Sequence, residues 1–199
     1  MALNLSLHSS RHFLPTILSA PIRRSFALKS VDLSHFLLNY PGPSKLYQHQ
    51  PSGLVSFLSA PPASPSSPTI LGSLSQTGTF TQNPAFLTLL HSVFSASYLN
   101  DPHVLDLSST KKSLPADSYV HVLDQRIGNS YNDREPTSII FSFLVNSKSG
   151  LPVPNTYEAN PAFRIHTPLE GFFVLPPSLH KTLLRGCGIA RKIEEETYR

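Results

Sequence analysis

The chain has 199 residues, 40% of them hydrophobic and 10% aromatic, which suits one compact domain and is short for two. Its formal charge of +4 arises from 16 basic and 12 acidic residues, and the basic pairs Lys111-Lys112 and Arg191-Lys192 are followed by Asp117 and by Glu194-Glu195-Glu196, which excludes a phosphate-tracking stripe. One cysteine, Cys187, excludes an internal disulfide and a cysteine zinc cage, and the 19 prolines, many of them between Pro41 and Pro68, exclude regular structure from a sizeable part of the chain.

The first 31 residues contain Arg11, Arg23, Arg24 and Lys29 but no acid, with Leu5, Leu7, Phe13, Leu14, Ile17 and Leu18 interspersed. Positive charge is drawn to anionic membranes and down a potential that is negative inside, and the apolar residues supply an amphipathic face, so this composition predicts an organelle transit peptide. Arg24-Ser25-Phe26-Ala27 resembles mitochondrial presequences that carry arginine three residues before the mature end. The resemblance spans four residues and implies cleavage after Ser25 by the general processing peptidase, then trimming of Phe26 to leave Ala27. Pro15 and Pro21 interrupt the apolar stretch and weigh against a secretory signal; a plastid transit peptide, which Met1-Ala2 and the serines also fit, is the alternative address. Loss of residues 1–26 removes three of the 16 basic residues and leaves 13 against 12 acidic, a nearly neutral mature chain. With no twin-cysteine motif, the reducing matrix is the expected compartment.

In residues 27–46, Leu33, Phe36, Leu37 and Tyr40 recur at helical spacing before Pro41-Gly42-Pro43, which predicts a short amphipathic helix over Val31–Tyr40 and a turn. Residues 47–82, rich in Pro, Ser and Gly, read as an irregular connector with apolar islands at Leu54–Leu58 and Ile70–Leu74. Asn83-Pro84 combines an N-cap with proline at the first helical position. Phe86, Leu89, Leu90, Val93, Phe94 and Tyr98 then follow at helical spacing until Asn100-Asp101-Pro102 ends the run.

The period then changes to two. Tyr119–Asp124 and Thr137–Val145 read as strands, the second with Ile139, Phe141, Phe143 and Val145 on one face. Residues 146–150 carry hairpin-loop chemistry, and Thr156–Glu158, Ala162–Thr167 and Gly171–Leu175 are further strand candidates. Leu179, Leu183 and Leu184 predict a short helix closed by Gly186, followed by a charged tail over 189–199. Strands gathered between helices without strict alternation predict an α+β fold over residues 83–188: a small, mainly antiparallel sheet packed against one or two helices.

The best catalytic-looking group is His121, Asp124 and Arg126, since imidazole, carboxylate and guanidinium together suit acid/base work on an anion. Strand alternation puts His121 and Asp124 on opposite faces, so a direct relay needs a partner from another strand. Arg164 and His166 share one face of their segment, with Phe163 and Ile165 on the other, and form a second candidate for an anionic ligand. The nine histidines form no metal-binding pattern outside the leader, and no nucleotide-cradling glycine pattern or GxSxG elbow occurs, so neither cofactor nor metal is expected. The longest good apolar run, Ile139–Val145, is far too short to span a membrane. Cys187 between two glycines reads as a small apolar filler.

Together these features predict a noncatalytic mitochondrial matrix protein, an accessory subunit or assembly factor that works by protein-protein contact. The expected partner is a mitochondrial protein complex, with peripheral inner-membrane association as a second mode. The alternative is a small enzyme or anionic-ligand binder built on the His/Arg patch.

Overall fold

The computed structural model describes residues 35–126 and 136–197. The processing residues Arg24, Ser25, Phe26 and Ala27, and the start of the expected Val31–Tyr40 helix, lie outside the described residues. The fold is α+β, with antiparallel sheets and three packed helices.

Five short strands, β1 (His35–Leu38), β2 (Leu46–His49), β3 (Leu54–Ser56), β4 (Ile70–Leu74) and β5 (Phe80–Gln82), form an antiparallel meander in sequence order. This corrects two expectations. The described part of Val31–Tyr40 is a strand, paired with β2 from His35↔His49 to Leu38↔Leu46. A ten-residue helix is marginal by itself, and strand pairing satisfies the same backbone groups against an existing sheet. Residues 47–82 are four strands of the meander and their turns: the strands are only three to five residues long, so the intervening Pro and Ser dominate the composition. The turn before β3 requires Gly53, whose φ is +69° and where a Cβ would lie 2.4 Å from the Leu74 carbonyl oxygen.

Helix α1 (Pro84–Ser97) starts as expected, with the Asn83 side chain accepting from the Ala85 N–H at 3.0 Å. The Asn83 amide also donates to the Ser67 and Ile70 carbonyls, at 3.0 and 2.8 Å, and so ties the helix start to the turn before β4. A 3-10 turn (Tyr98–Asn100) continues it, and Asp101-Pro102 opens a second helix, α2 (Pro102–Ser109), where a terminator alone was expected. Asp101 Oδ1 accepts from the N–H groups of His103 and Val104, at 2.9 and 3.3 Å.

The second sheet pairs β6 (Ser118–Leu123) with β7 (Ile139–Asn146), to which β8 (Leu151–Pro152) and β9 (Glu158–Ala159) add short antiparallel strands. Phe141, Phe143 and Val145 are buried as their alternation predicts. Ile139 is not: a bulge sets Ile139 opposite Leu123 and Phe141 opposite Val122, and the inserted Ile140 enters the core in its place. A hairpin of β10 (His166–Thr167) and β11 (Gly171–Phe172) follows.

Helix α3 (Pro177–Thr197) corrects the last expectation, because it continues through Gly186 and takes up the charged tail. Gly186 is an approach site and does not terminate the helix: a Cβ there would sit 2.5 Å from Val93 Cγ2 of α1. Beyond it, Arg191 pairs with Glu195 at 2.8 Å, and the Ser67 hydroxyl donates to Glu194 at 2.9 Å. Gly186→Leu is therefore expected to lower stability by about 2 kcal/mol through overpacking, whereas Gly188→Ala, with nothing within 4 Å, gains a few tenths from helix propensity. Chemical denaturation of both variants checks the contrast, and equal effects would refute the close crossing of α1 and α3.

One hydrophobic core unites these parts. It takes Leu46, Val55 and Leu71 from the first sheet, Phe86, Leu90 and Phe94 from α1, Val120, Phe141 and Phe143 from the second sheet, and Leu179, Leu183 and Cys187 from α3. The folded unit therefore extends on both sides of the expected 83–188 segment. Cys187 is fully buried and burial pushes its thiol up to about 12, so it is protonated and packed as an apolar group.

Candidate functional site

Asp124 follows the last residue of β6, and its carboxylate is completely buried. Oδ2 pairs with Arg126 Nε at 2.7 Å, while Oδ1 accepts from the Val174 and Arg126 backbone N–H groups, at 2.8 and 3.0 Å. Burial pushes the Asp124 carboxyl upward against the opposing pull of Arg126. The Arg126 guanidinium also donates to the Gly171 carbonyl and, at 2.8 Å, to that of Arg164. Its side chain is 2% exposed. Nε thus holds Asp124 while Nη1 and Nη2 fasten the end of β6 to the β10–β11 region, which suits an architectural clamp better than a ligand contact.

His121 stands on the opposite, exposed face, where its Nδ1 lies 2.7 Å from Ser142 Oγ across the β6–β7 pair. Next to it, the Tyr119 hydroxyl donates to Glu158 at 2.9 Å. The structure therefore does not join His121 to Asp124, as alternation implied. Arg164 is exposed, and its Nη1 reaches the Phe163 carbonyl of its own segment at 3.2 Å. Phe163 and Ile165 are buried on the other face, as expected. His166 is half-buried between Phe80 and Phe172, with ring centroids 5.2 and 4.7 Å away, and burial together with the charge of Arg126 lowers its pKa. Asp124 and Arg126 are thus brought together, the Arg164 backbone and His166 lie around them, and His121 faces away.

Two clusters are missing from the sequence reading because their members are far apart in the chain. Tyr40, which follows β1, stacks on His180 of α3 with centroids 6.2 Å apart and packs on Phe57 at 5.6 Å. Its hydroxyl is buried without a partner, and burial together with the Asp124 charge raises its pKa. His180 Nε2 lies 2.7 Å from Ser44 Oγ, and Nδ1 makes no hydrogen bond. Among the described residues no third group orients this imidazole, and the pair ties the turn after β1 to α3.

In the second cluster, His49 Nε2 lies 3.0 Å from Ser56 Oγ. The Ser56 hydroxyl proton is directed to the Leu58 carbonyl at 2.8 Å, so the imidazole donates from Nε2 and carries its lone pair on Nδ1. Burial lowers the pKa of His49, and His35 and Arg191 add to the effect.

An open cleft of about 530 Å³ lies where the end of α1 meets the starts of α2 and α3, and it is lined by Asn100, Asp101, Ser178, Lys181, Thr182 and Arg185. Asp101, which also accepts from the Ser178 hydroxyl at 2.9 Å, supplies the carboxylate at the start of α2, where an external anion would otherwise sit. Among the described residues no group of three or more His, Cys, Asp or Glu side chains is arranged to hold a metal ion, and no helix is long and apolar enough to cross a membrane.

Comparison with protein-family models, characterised proteins and solved structures finds no match to this chain.

Proposed function

We propose that the protein is a noncatalytic mitochondrial matrix protein, an accessory subunit or assembly factor that works by protein-protein contact. The observation that carries this reading is the edge of the first sheet. At one edge, β5 is covered: Gln82 Oε1 accepts from the Ile165 N–H at 2.8 Å, and Phe80 packs on Phe172. At the other edge, among the described residues, β1 pairs with β2 alone, and Phe36 and Leu37 are 50% and 58% exposed. An outer strand bearing exposed apolar side chains is suited to a peptide or strand that extends the backbone ladder and buries those side chains. The alternative, an enzyme or anion binder on the His/Arg patch, has less support because Arg126 is fully engaged by Asp124 and two carbonyls, leaving Arg164 as its accessible cation.

The endogenous protein is expected to co-sediment with a large complex from mitochondrial extracts and to begin at Phe26 or Ala27. The Phe36→Ser/Leu37→Ser variant should lose that co-sedimentation with a melting temperature within a few degrees of the parent, since both side chains are already half in water. Undiminished co-sedimentation of the variant would overturn the docking reading, and an intact Met1 or Ala2 terminus would overturn the mitochondrial address.

A further inference from the structure

Helix α3 presents two faces of different chemistry. Leu179, Leu183 and Cys187 are buried, and at 100° per residue the opposite face carries Arg185, Ile189, Lys192 and Glu196, all exposed. Ile189 is 54% exposed, and Ile193 beside this row is 59% exposed. Arg185, Ile189, Lys192 and Glu196 are spaced four, three and four residues apart, the repeat of a seam between two helices.

The seam is also left electrically incomplete. Arg191 is paired with Glu195, and Glu194 receives the Ser67 hydroxyl, but neither Arg185 nor Glu196 has an ion pair or side-chain hydrogen bond among the described residues. One end of the row is positive and the other negative, about a midpoint between Ala190 and Arg191. Such a row complements itself when a second copy runs antiparallel to it. Arg185 then faces Glu196 of the second copy, and the same pair recurs at the far end, about 16 Å away at 1.5 Å per residue. In the middle, Ile189 meets the aliphatic stem of Lys192, and Ile193 lies over Gly188, where a side chain would find nothing within 4 Å. A parallel arrangement would set Arg185 against its own copy, so charge selects the antiparallel one.

We propose that the exposed face of α3 docks on α3 of a second copy of this chain, in an antiparallel two-fold pairing held in register by Arg185 and Glu196. The surface is separate from the β1 edge, and the pairing does not rest on the function proposed above.

Sedimentation of the full chain over a range of concentrations tests it. A monomer-dimer equilibrium that weakens with salt is expected. Arg185→Glu and Glu196→Arg should each raise the dimer dissociation constant about tenfold or more, because each change turns two attractive contacts into repulsive ones. The double variant Arg185→Glu/Glu196→Arg restores opposite charges and should return the constant to within about threefold of the parent. Both residues are exposed, so all three variants should keep the parent melting temperature as monomers. A chain that remains monomeric at every concentration overturns the proposal. So does a dimer insensitive to either single reversal, or one that the double variant fails to restore.

Discussion

Replacing Arg126 with methionine is expected to lower the stability of the protein by about 3 to 5 kcal/mol, the range for removing one partner of a buried ion pair. The Asp124 carboxylate is wholly enclosed, and without the guanidinium it keeps only the N–H groups of Val174 and residue 126 as donors. The Gly171 and Arg164 carbonyls lose their donor at the same time, so the β10–β11 region loses two of its ties to the end of β6. Asp124→Asn/Arg126→Met removes the stranded charge and should recover at least about 1 kcal/mol relative to the single variant, as coupled neighbours do. Urea denaturation reads both effects. A loss under 1 kcal/mol for Arg126→Met would mean that the guanidinium is solvated and exchangeable, which would reopen Arg126 as a ligand contact.

Acid should destabilise the fold well before the carboxylates titrate. Burial lowers the pKa values of His49, His91, His103, His166 and His180 below the ordinary histidine value. The sign follows from proton counting. As pH falls through about 6.5 the unfolded chain takes up protons that the native imidazoles refuse, so stability is greatest above that pH and declines below it until each native histidine titrates in turn. His49 and His180 are the most enclosed of the five, at 3% and 2% exposed. Each contributes a limiting slope of about 1.4 kcal/mol per pH unit. Asp124, whose pKa is raised, acts in the opposite sense, since protonation favours its native form. Denaturation midpoints measured from pH 8 to pH 5 should therefore fall steadily, and His180→Phe, which keeps an aromatic ring against Tyr40 and Phe57, should flatten the profile. Midpoints that hold level or rise toward pH 5 would refute the neutral, buried state of these rings.

Much of the second half of the chain is legible from local chemistry. Asn83-Pro84 fixes the start of α1, and alternation assigns Phe141, Phe143 and Val145 to the core. Asp101-Pro102 is the same start signal as Asn83-Pro84, and α2 was recoverable from it. The first sheet is not legible in this way, because strands of three to five residues show too few alternations to stand out against the turns between them. Gly186 misleads for a different reason: it resembles a helix stop, but what it answers to is Val93 on another helix. At the candidate site, the opposite facing of His121 and Asp124 can be read from the period of a strand. The hold of Arg126 on carbonyls 38 and 45 residues away cannot, since backbone acceptors leave no trace in residue identity.

The way α3 closes the structure constrains the order in which the chain is completed. His180 reaches Ser44 across 136 residues of sequence, and Glu194 reaches Ser67 across 127, so the first sheet is fastened by an element synthesised long after it. Until α3 emerges, Leu46, Val55 and Leu71 face a core lacking Leu179, Leu183 and Cys187. A nascent chain, or one threading a pore N-terminus first, therefore waits with apolar surface uncovered and a β1 edge able to capture other strands, the circumstance in which chaperones are needed. Completion of the first sheet is in that sense timed by the emergence of α3.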